Sequence, residues 1–204
     1  MKNRISTRKL IAMSMLAAIS TLLMFLEMPI PFMPPFLKLD ISAVPIMVGS
    51  FLFGPIEGVV MALLKSLIHL LSTQTAGVGE LADFLITGSF ALTAGLVYRI
   101  KHSRAGALIS CVASIAVITI VGALANYFLL LPFYASAYMP YDAIIAACQA
   151  ITPAITDIKG YILFGVVPFN LLKGTVVAII TFAVYKRLSG VFHRWMEASQ
   201  PRKA

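Results

Sequence analysis

Apolar residues run along the chain in six blocks, each ended by a short break that carries proline, glycine or charge. The first block spans about residues 10–27. As a helix rising about 1.5 Å per residue it is long enough to cross a ~30 Å hydrocarbon core. It lacks a small-residue cleavage site and is long for a signal segment, so it reads as a retained span. The second block is shorter, about 14 residues. It starts near Asp40, a carboxylate suited to cap a helix N-terminus, and stops near Gly54-Pro55. Gly54-Pro55-Ile56-Glu57-Gly58 reads as a tight turn, and a third span follows over about 57–72. The fourth covers about 80–98 and the fifth about 106–131. The sixth begins near Pro168, a good first-turn residue, and ends near Tyr185. The pattern predicts an all-α integral membrane protein of six transmembrane helices, with residues 1–204 forming one domain.

The breaks differ in character. Residues 25–58 are mostly apolar, yet four prolines fall between Pro29 and Pro35. Each fixes its own φ, lacks a backbone donor and biases its predecessor away from helix. No continuous helix runs through that stretch, so Glu27, Lys38 and Asp40 flank a semi-rigid extended loop. Such a loop is either a lid or binding edge, or a stiff connector. Residues 73–80 form a polar, glycine-containing loop. Residues 132–160 contain Pro132, Pro140, Pro153, several tyrosines, Asp142 and Asp157. They are too apolar to be freely solvated, and part of them is expected either to lie at the interface or to fold over the bundle as a short amphipathic helix.

Composition agrees with the pattern: 60% of residues are hydrophobic and 12% charged, about half the charge of a soluble domain. The net charge of +8 reflects basic residues gathered at span ends, which is the positive-inside signature rather than a nucleic-acid surface. With the N-terminus inside, six crossings place 54–58, 99–104 and the C-terminal tail on the cytoplasmic side. Twelve of the sixteen Lys and Arg residues then lie inside: four in the N-terminal tail (1–9), three in 99–104 and five at 186–203. Five or seven crossings would expose a basic cluster. Both termini are therefore expected in the cytoplasm, with the proline-rich loop outside. Cys111 and Cys148 belong to no CxxC or Cys/His cluster, so no metal site or disulfide framework is expected and both read as buried thiols.

This topology gathers Glu27, Lys38, Asp40, Glu80, Asp83 and Asn126 toward the outer side. Asn170 and Lys173, three residues apart on one helix face, join them. With Phe32, Phe36, Tyr127 and Tyr161 nearby, the set describes a pocket with a stacking wall and a few hydrogen-bonding groups, suited to a planar, polar, largely uncharged molecule. The alternative is that these groups satisfy one another. Glu80 and Asp83 fall in the first turn of the fourth span, where they either complement the helix dipole or contact ligand. Lys65 and His69, four apart within the third span, are either functional intramembrane groups or internally bonded ones. Ser14 and Ala18, and likewise Ala17 and Thr21, place small residues four apart on the first span. They serve either docking by a partner helix or packing within the bundle. No phosphate-binding P-loop, zinc-protease motif or nucleophile elbow occurs. The chain does not read as an enzyme or as an ATPase.

Several ordered segments then become informative: Lys38-Leu-Asp40-Ile-Ser-Ala-Val-Pro45, Gly54-Pro-Ile-Glu-Gly58, Leu64-Lys65-Ser-Leu67, Gly79-Glu-Leu-Ala-Asp83-Phe84 and Val167-Pro-Phe-Asn170-Leu-Leu-Lys173-Gly174. Together they resemble the substrate-binding S component of energy-coupling factor (ECF) transporters, of the riboflavin type. The resemblance covers most of the chain from the first span to the sixth. It implies a multi-pass protein of the bacterial cell membrane that captures riboflavin, with flavin mononucleotide as a second candidate, from outside. The flavin would be cargo, and no resident cofactor is implied. Partners would be a transmembrane coupling subunit (EcfT) and a pair of ATPases (EcfA and EcfA'), which would supply the energy. The resemblance places ligand contacts at Lys38, Asp40, the backbone of Gly77, Val78 and Gly79, Asn126, Asn170 and Lys173. Asn126 and the Gly77–Gly79 backbone would meet the flavin ring edge, and Asn170 and Lys173 the ribityl hydroxyls. Ser14, Ala17, Ala18 and Thr21 would form the docking surface, although Ser14-xxx-Ala18 stands where paired alanines are usual. Two other readings remain: an S component for another vitamin, and a self-sufficient proton-coupled transporter using Lys65 and His69.

Overall fold

The computed structural model describes residues 7–34 and 36–197. Lys2, Arg4, Pro35, Arg202 and Lys203 lie outside the described residues. Helix α1 (Thr7–Met24) leads into the proline-rich loop, which folds back through a minimal antiparallel pair, β1 (Met28–Pro29) and β2 (Lys38–Leu39), with Met28 opposite Leu39. Then come α2 (Ala43–Phe53), α3 (Pro55–His69), α4 (Val78–Ile100) and α5 (Arg104–Ala125). A π-helical turn, Asn126–Leu130, passes into α6 (Leu131–Ala137). Helix α7 (Tyr141–Gln149) follows, and the one-turn α8 (Ile158–Gly160) continues through a second π turn, Tyr161–Val166, into α9 (Val167–Glu197).

Among the described residues, five helical stretches are long and apolar enough to cross a membrane: 7–24, 55–72, 78–100, 105–137 and 158–185. The second of the six expected spans is the exception. Helix α2 has 11 residues, about 16 Å at the α-helical rise. It is apolar all round, as a helix enclosed by others must be, and ten of its residues are buried. Gly54, at φ 124°, ends α2 and lets Pro55 begin α3 immediately. Asp40 does not cap α2 as expected. Its Oδ1 accepts the Ser42 N–H at 2.8 Å, and the helix starts at Ala43.

Two clusters form the centre. Met47 and Phe51 of α2, Phe90 and Ala94 of α4, Ile118 of α5 and Val177 of α9 make one. Ala17 of α1, Ile46 of α2, Met61 and Ala62 of α3 and Ala91 of α4 make the other. Both wrap α2. A third cluster lies under α7, which turns Ile144 and Cys148, one helical turn apart, onto Leu131, Tyr161 and Val166. This is the short amphipathic cover expected within 132–160. Cys111 and Cys148 are both buried and unbridged.

The last span differs from expectation. Its helix begins at Ile158, where Asp157 Oδ1 accepts the Gly160 N–H at 2.6 Å, and Pro168 lies inside it. A proline ring within an α-helix abuts the carbonyl four residues back, here that of Phe164. The π turn ahead of Pro168 removes that conflict by taking in one extra residue, and the Val167 N–H bonds to Ile162 O, five back. The same device precedes Pro132, where the Leu131 N–H reaches Asn126 O.

Candidate ligand-binding site

A cavity of about 370 Å³ lies under the proline-rich loop, between the N-terminal half of α4, the Asn126–Leu130 turn and α9. Its volume falls within the roughly 300–1,000 Å³ of small-molecule sites. Phe25, Phe36, Tyr134 and Phe169 supply aromatic walls, and Ile86 and Leu130 aliphatic ones. Lys38, Asp40, His69, Glu80, Asp83, Asn126, Asn170 and Lys173 supply polar groups. A larger, more open hollow of about 510 Å³ lies beside α7, between Tyr127, Tyr141, Asp142 and Asp157. It gathers none of the buried polar side chains, so the smaller cavity is the stronger candidate despite its size.

The charges in the cavity are paired. Lys173 Nζ meets Asp40 Oδ2 at 2.5 Å, with both side chains largely enclosed. Burial acts to raise the Asp40 carboxyl. The Lys173 ammonium, the Lys65 charge and hydrogen bonds from Lys173 and Ser42 outweigh it and hold the group well below the usual carboxylate range. Lys65 is fully buried, and its three N–H donors find Asp83 Oδ2 at 2.6 Å, Ser42 Oγ at 3.1 Å and Thr87 Oγ1 at 3.4 Å. Of the two readings of Lys65, the internally bonded one holds. Glu80 accepts from Thr73 at 2.8 Å and from Thr75 at 3.2 Å, and its other oxygen lies 3.0 Å from His69 Nδ1. The His69 ring in turn packs on Phe25. At the mouth, Lys38 pairs with Glu27 at 2.5 Å in a half-exposed contact.

The two asparagines are held from behind. Asn126 Nδ2 donates to Gly122 O at 2.9 Å, and Asn170 Nδ2 donates to Val166 O at 2.9 Å. Both are bonds to the carbonyl four residues back. Gly122 also lets Asn170 lie against α5, because a Cβ there would sit 2.6–2.7 Å from the Asn170 carboxamide. Each amide retains capacity beyond its one internal donor bond, and both residues line the cavity.

Six of the expected contacts therefore meet at one cavity: Lys38, Asp40, Gly79, Asn126, Asn170 and Lys173. Gly77 and Val78 do not line it. Gly77 takes the left-handed conformation, φ 89°, that opens α4. Its N–H donates to Thr73 Oγ1 at 3.0 Å, and the Gly79 N–H donates to Thr75 Oγ1 at 2.9 Å, so both amides are already engaged. Of the aromatic residues expected as a wall, only Phe36 serves. Phe32 is exposed at the loop tip with φ 67°. Tyr127 is half-exposed toward the other hollow, and Tyr161 lies behind Asn126. Phe25, Tyr134 and Phe169 are walls that the sequence reading lacks. Phe169 precedes Asn170, a position that pointed to it. Tyr134 falls in residues read as connection, and nothing in the local pattern marked it.

The small residues of α1 separate by face. Ser14 and Ala18 are exposed, whereas Ala17 and Thr21 are buried, with Thr21 Oγ1 donating to Ala17 O at 2.9 Å. Ala17 and Thr21 face the bundle interior, with Ala17 packed beside Ile46 and Met61, which leaves Ser14 and Ala18 as the outward-facing pair. Among the described residues no three His, Cys, Asp or Glu side chains group as a metal site.

Comparison with known proteins agrees with this geometry. The family of ECF transporter substrate-specific components matches residues 8–185. The chain is 37% identical over 192 residues to a protein of Staphylococcus aureus (strain TCH60) named riboflavin transporter RibU, covering 94% of this chain and 96% of that one. It is 29% identical over 186 residues to riboflavin transporter FmnP of Bacillus subtilis (strain 168), covering 89% and 92%. A solved S component of a bacterial ECF transporter superposes with a TM-score of 0.72 at 36% identity, over 90% of this chain and 96% of that one. The chain is a multi-pass protein of the bacterial cell membrane and a non-catalytic transport subunit: it belongs to the family of substrate-specific S components of ECF transporters.

Proposed function

We propose that the chain captures riboflavin at the cavity beneath the proline-rich loop and delivers it through an ECF-type importer. The observation that carries this reading is the meeting of Asp40, Asn126, Asn170 and Lys173 at one enclosed, aromatic-walled cavity in a chain so similar to two riboflavin transporters. An isoalloxazine ring is planar and apolar on its faces, with a polar imide edge, while its ribityl chain is all hydroxyls. Phe36, Tyr134 and Phe169 offer the faces, Asn126 the edge, and Asn170 with Lys173 the hydroxyls. Lys38 and Asp40 complete the rim and floor. The Gly77–Val78–Gly79 segment acts indirectly here, as the framework that opens α4.

The membrane topology in this reading has six crossings, with α2 as the short second one, both termini in the cytoplasm and the proline-rich loop outside. The distribution of basic residues supports it. Residues 1–204 act as one domain. Riboflavin is the cargo, with flavin mononucleotide as a second candidate, and no resident cofactor takes part. Energy comes from a transmembrane coupling subunit and paired ATPases, which the exposed Ser14–Ala18 face of α1 would meet. A proton-coupled carrier built on Lys65 is disfavoured because the ammonium's three donors are already engaged within the fold.

The test is titration of the purified chain with riboflavin, following quenching of flavin fluorescence, with thiamine and biotin as controls. Co-purified flavin or tight quenching is expected. A folded sample that quenches no flavin but binds another vitamin would keep the family and overturn the ligand.

A further inference from the structure

Tyr161 lies outside the cavity, yet it is bonded to a residue that lines it. Its ring is 1% exposed and packs on Phe36, with ring centroids 5.7 Å apart. Its hydroxyl donates to Asn126 Oδ1 at 2.9 Å, across 35 residues of sequence. We propose that Tyr161 is a positioning residue: it fixes which way the Asn126 carboxamide faces and so sets the donor–acceptor pattern shown to the ligand's polar edge. The proposal rests on the flavin reading above.

The argument follows from counting partners. A carboxamide offers two N–H donors and two acceptor lone pairs, and its two ends are told apart by their neighbours. Gly122 O can only accept, so the Asn126 nitrogen must face it. The oxygen is then turned to the Tyr161 hydroxyl. Asn126 is 4% exposed. One N–H and one lone pair are spent on the protein, which leaves one of each for the cavity. With both ends tied, rotation of the amide is blocked before any ligand arrives. A planar imide edge, which itself alternates acceptor and donor, is read by such a fixed pair. A freely rotating amide would read it less well, because binding would have to bear the cost of ordering it. Asn126 and Tyr161 each open one of the two π turns, so the bond ties the turn that lines the cavity to one that lies behind it.

The experiment is a double-mutant cycle read by riboflavin affinity. Tyr161→Phe removes only the hydroxyl and is expected to weaken binding about tenfold, or about 1.4 kcal/mol. In an Asn126→Ala background the same change should cost less than about twofold. An equal loss in both backgrounds would mean that Tyr161 acts by packing and would overturn the proposal, as would an unchanged affinity in Tyr161→Phe. A second readout needs no tolerated Tyr161 variant. The chain has three asparagines, so asparagine-selective 15N labelling gives three side-chain amide pairs, with Asn126→Ala assigning one. In the flavin-free wild type the Asn126 pair should be resolved and slow to exchange. A fast-exchanging pair that orders only on addition of flavin would overturn pre-orientation. A protected pair in a chain that binds no riboflavin would instead sink the flavin reading while leaving the Tyr161–Asn126 anchor standing.

Discussion

Replacing Lys173 by alanine separates what the cavity does from what holds it together. The ammonium sits 2.5 Å from Asp40 Oδ2, with side-chain exposures of 14% and 5%, so its loss strands a buried carboxylate. Breaking such a pair from one side costs about 3–5 kcal/mol. Here Asp40 keeps the Ser42 N–H at 2.8 Å and the field of Lys65, which favours the lower end, about 3 kcal/mol. For a chain of this size that is a fall in melting temperature of about 6–12 °C. Binding should suffer separately. A charge-assisted hydrogen bond to a ribityl hydroxyl is worth about 1.5–3 kcal/mol, so affinity should drop about ten- to a hundredfold.

Thermal unfolding of the flavin-free protein in detergent, run beside fluorescence titration, reads both effects. The variant Asp40→Asn/Lys173→Met removes both charges at once. It should recover most of the stability, because an ion pair replaced as a unit costs little, while affinity stays low. Two results would refute the reasoning. Wild-type affinity in a folded Lys173→Ala protein would remove Lys173 from the site. Wild-type affinity in the double variant would reduce the whole pair to scaffold.

Three further perturbations probe other links. Gly122→Ala should weaken riboflavin binding about tenfold without lowering the melting temperature: its Cβ displaces Asn170, while alanine itself favours helix by about 1 kcal/mol. Unchanged affinity by the same titration would show that Asn170 makes no contact. Ala18→Trp, on the exposed face of α1, should abolish riboflavin uptake in cells while binding by the purified chain survives, and an equal loss of both would make that face part of the fold rather than of docking. Asp40, whose carboxyl is held below its ordinary value near 3.8, contributes stability that is present above that value and lost as pH falls through the lower folded one. The difference in melting temperature between wild type and Asp40→Asn should be flat from pH 8 to 5 and shrink only below about pH 4. Shrinkage between pH 7 and 5 would contradict a depressed carboxyl.

Much of this architecture is legible in the sequence because a bilayer forces long apolar helices, and their lengths and basic flanks survive as a one-dimensional pattern. Asn170 and Lys173 were readable for a similar reason: three residues apart on a helix is a statement about a shared face. Ala17 and Ala18 show the limit. They are adjacent, equally small and equally apolar, and only the packing of α1 against α2 and α3 decides that Ala17 lies inside while Ala18 faces out. Lys65 is another case. Its sequence position marks a costly buried cation, but its partners Ser42, Asp83 and Thr87 come from elsewhere in the chain, and no local pattern announces them.

The prolines carry the most instructive misreading. Pro168 reads as a helix start because a proline at the first turn loses nothing, whereas a proline in a helix interior costs about 3 kcal/mol or more. That cost assumes the preceding turn stays α-helical. When the turn takes in one more residue, the offending carbonyl moves away and the helix runs on, as it does before both Pro132 and Pro168. The extra residue has a geometric consequence, since each residue of an α-helix advances about 100° around the axis. Inserting one shifts every side chain before the π turn by about that angle relative to those after it. Tyr161 stands before the second insertion, and Asn170 and Lys173 after it. With one residue taken in, Tyr161 and Lys173 come to within about 20° of each other around the axis, so one face of the helix serves both Asn126 and Asp40. On a straight α-helix those two side chains would stand about 120° apart, facing different neighbours. Pro132 and Pro168, which look like boundaries in the sequence, each follow an irregular turn through which the helix continues.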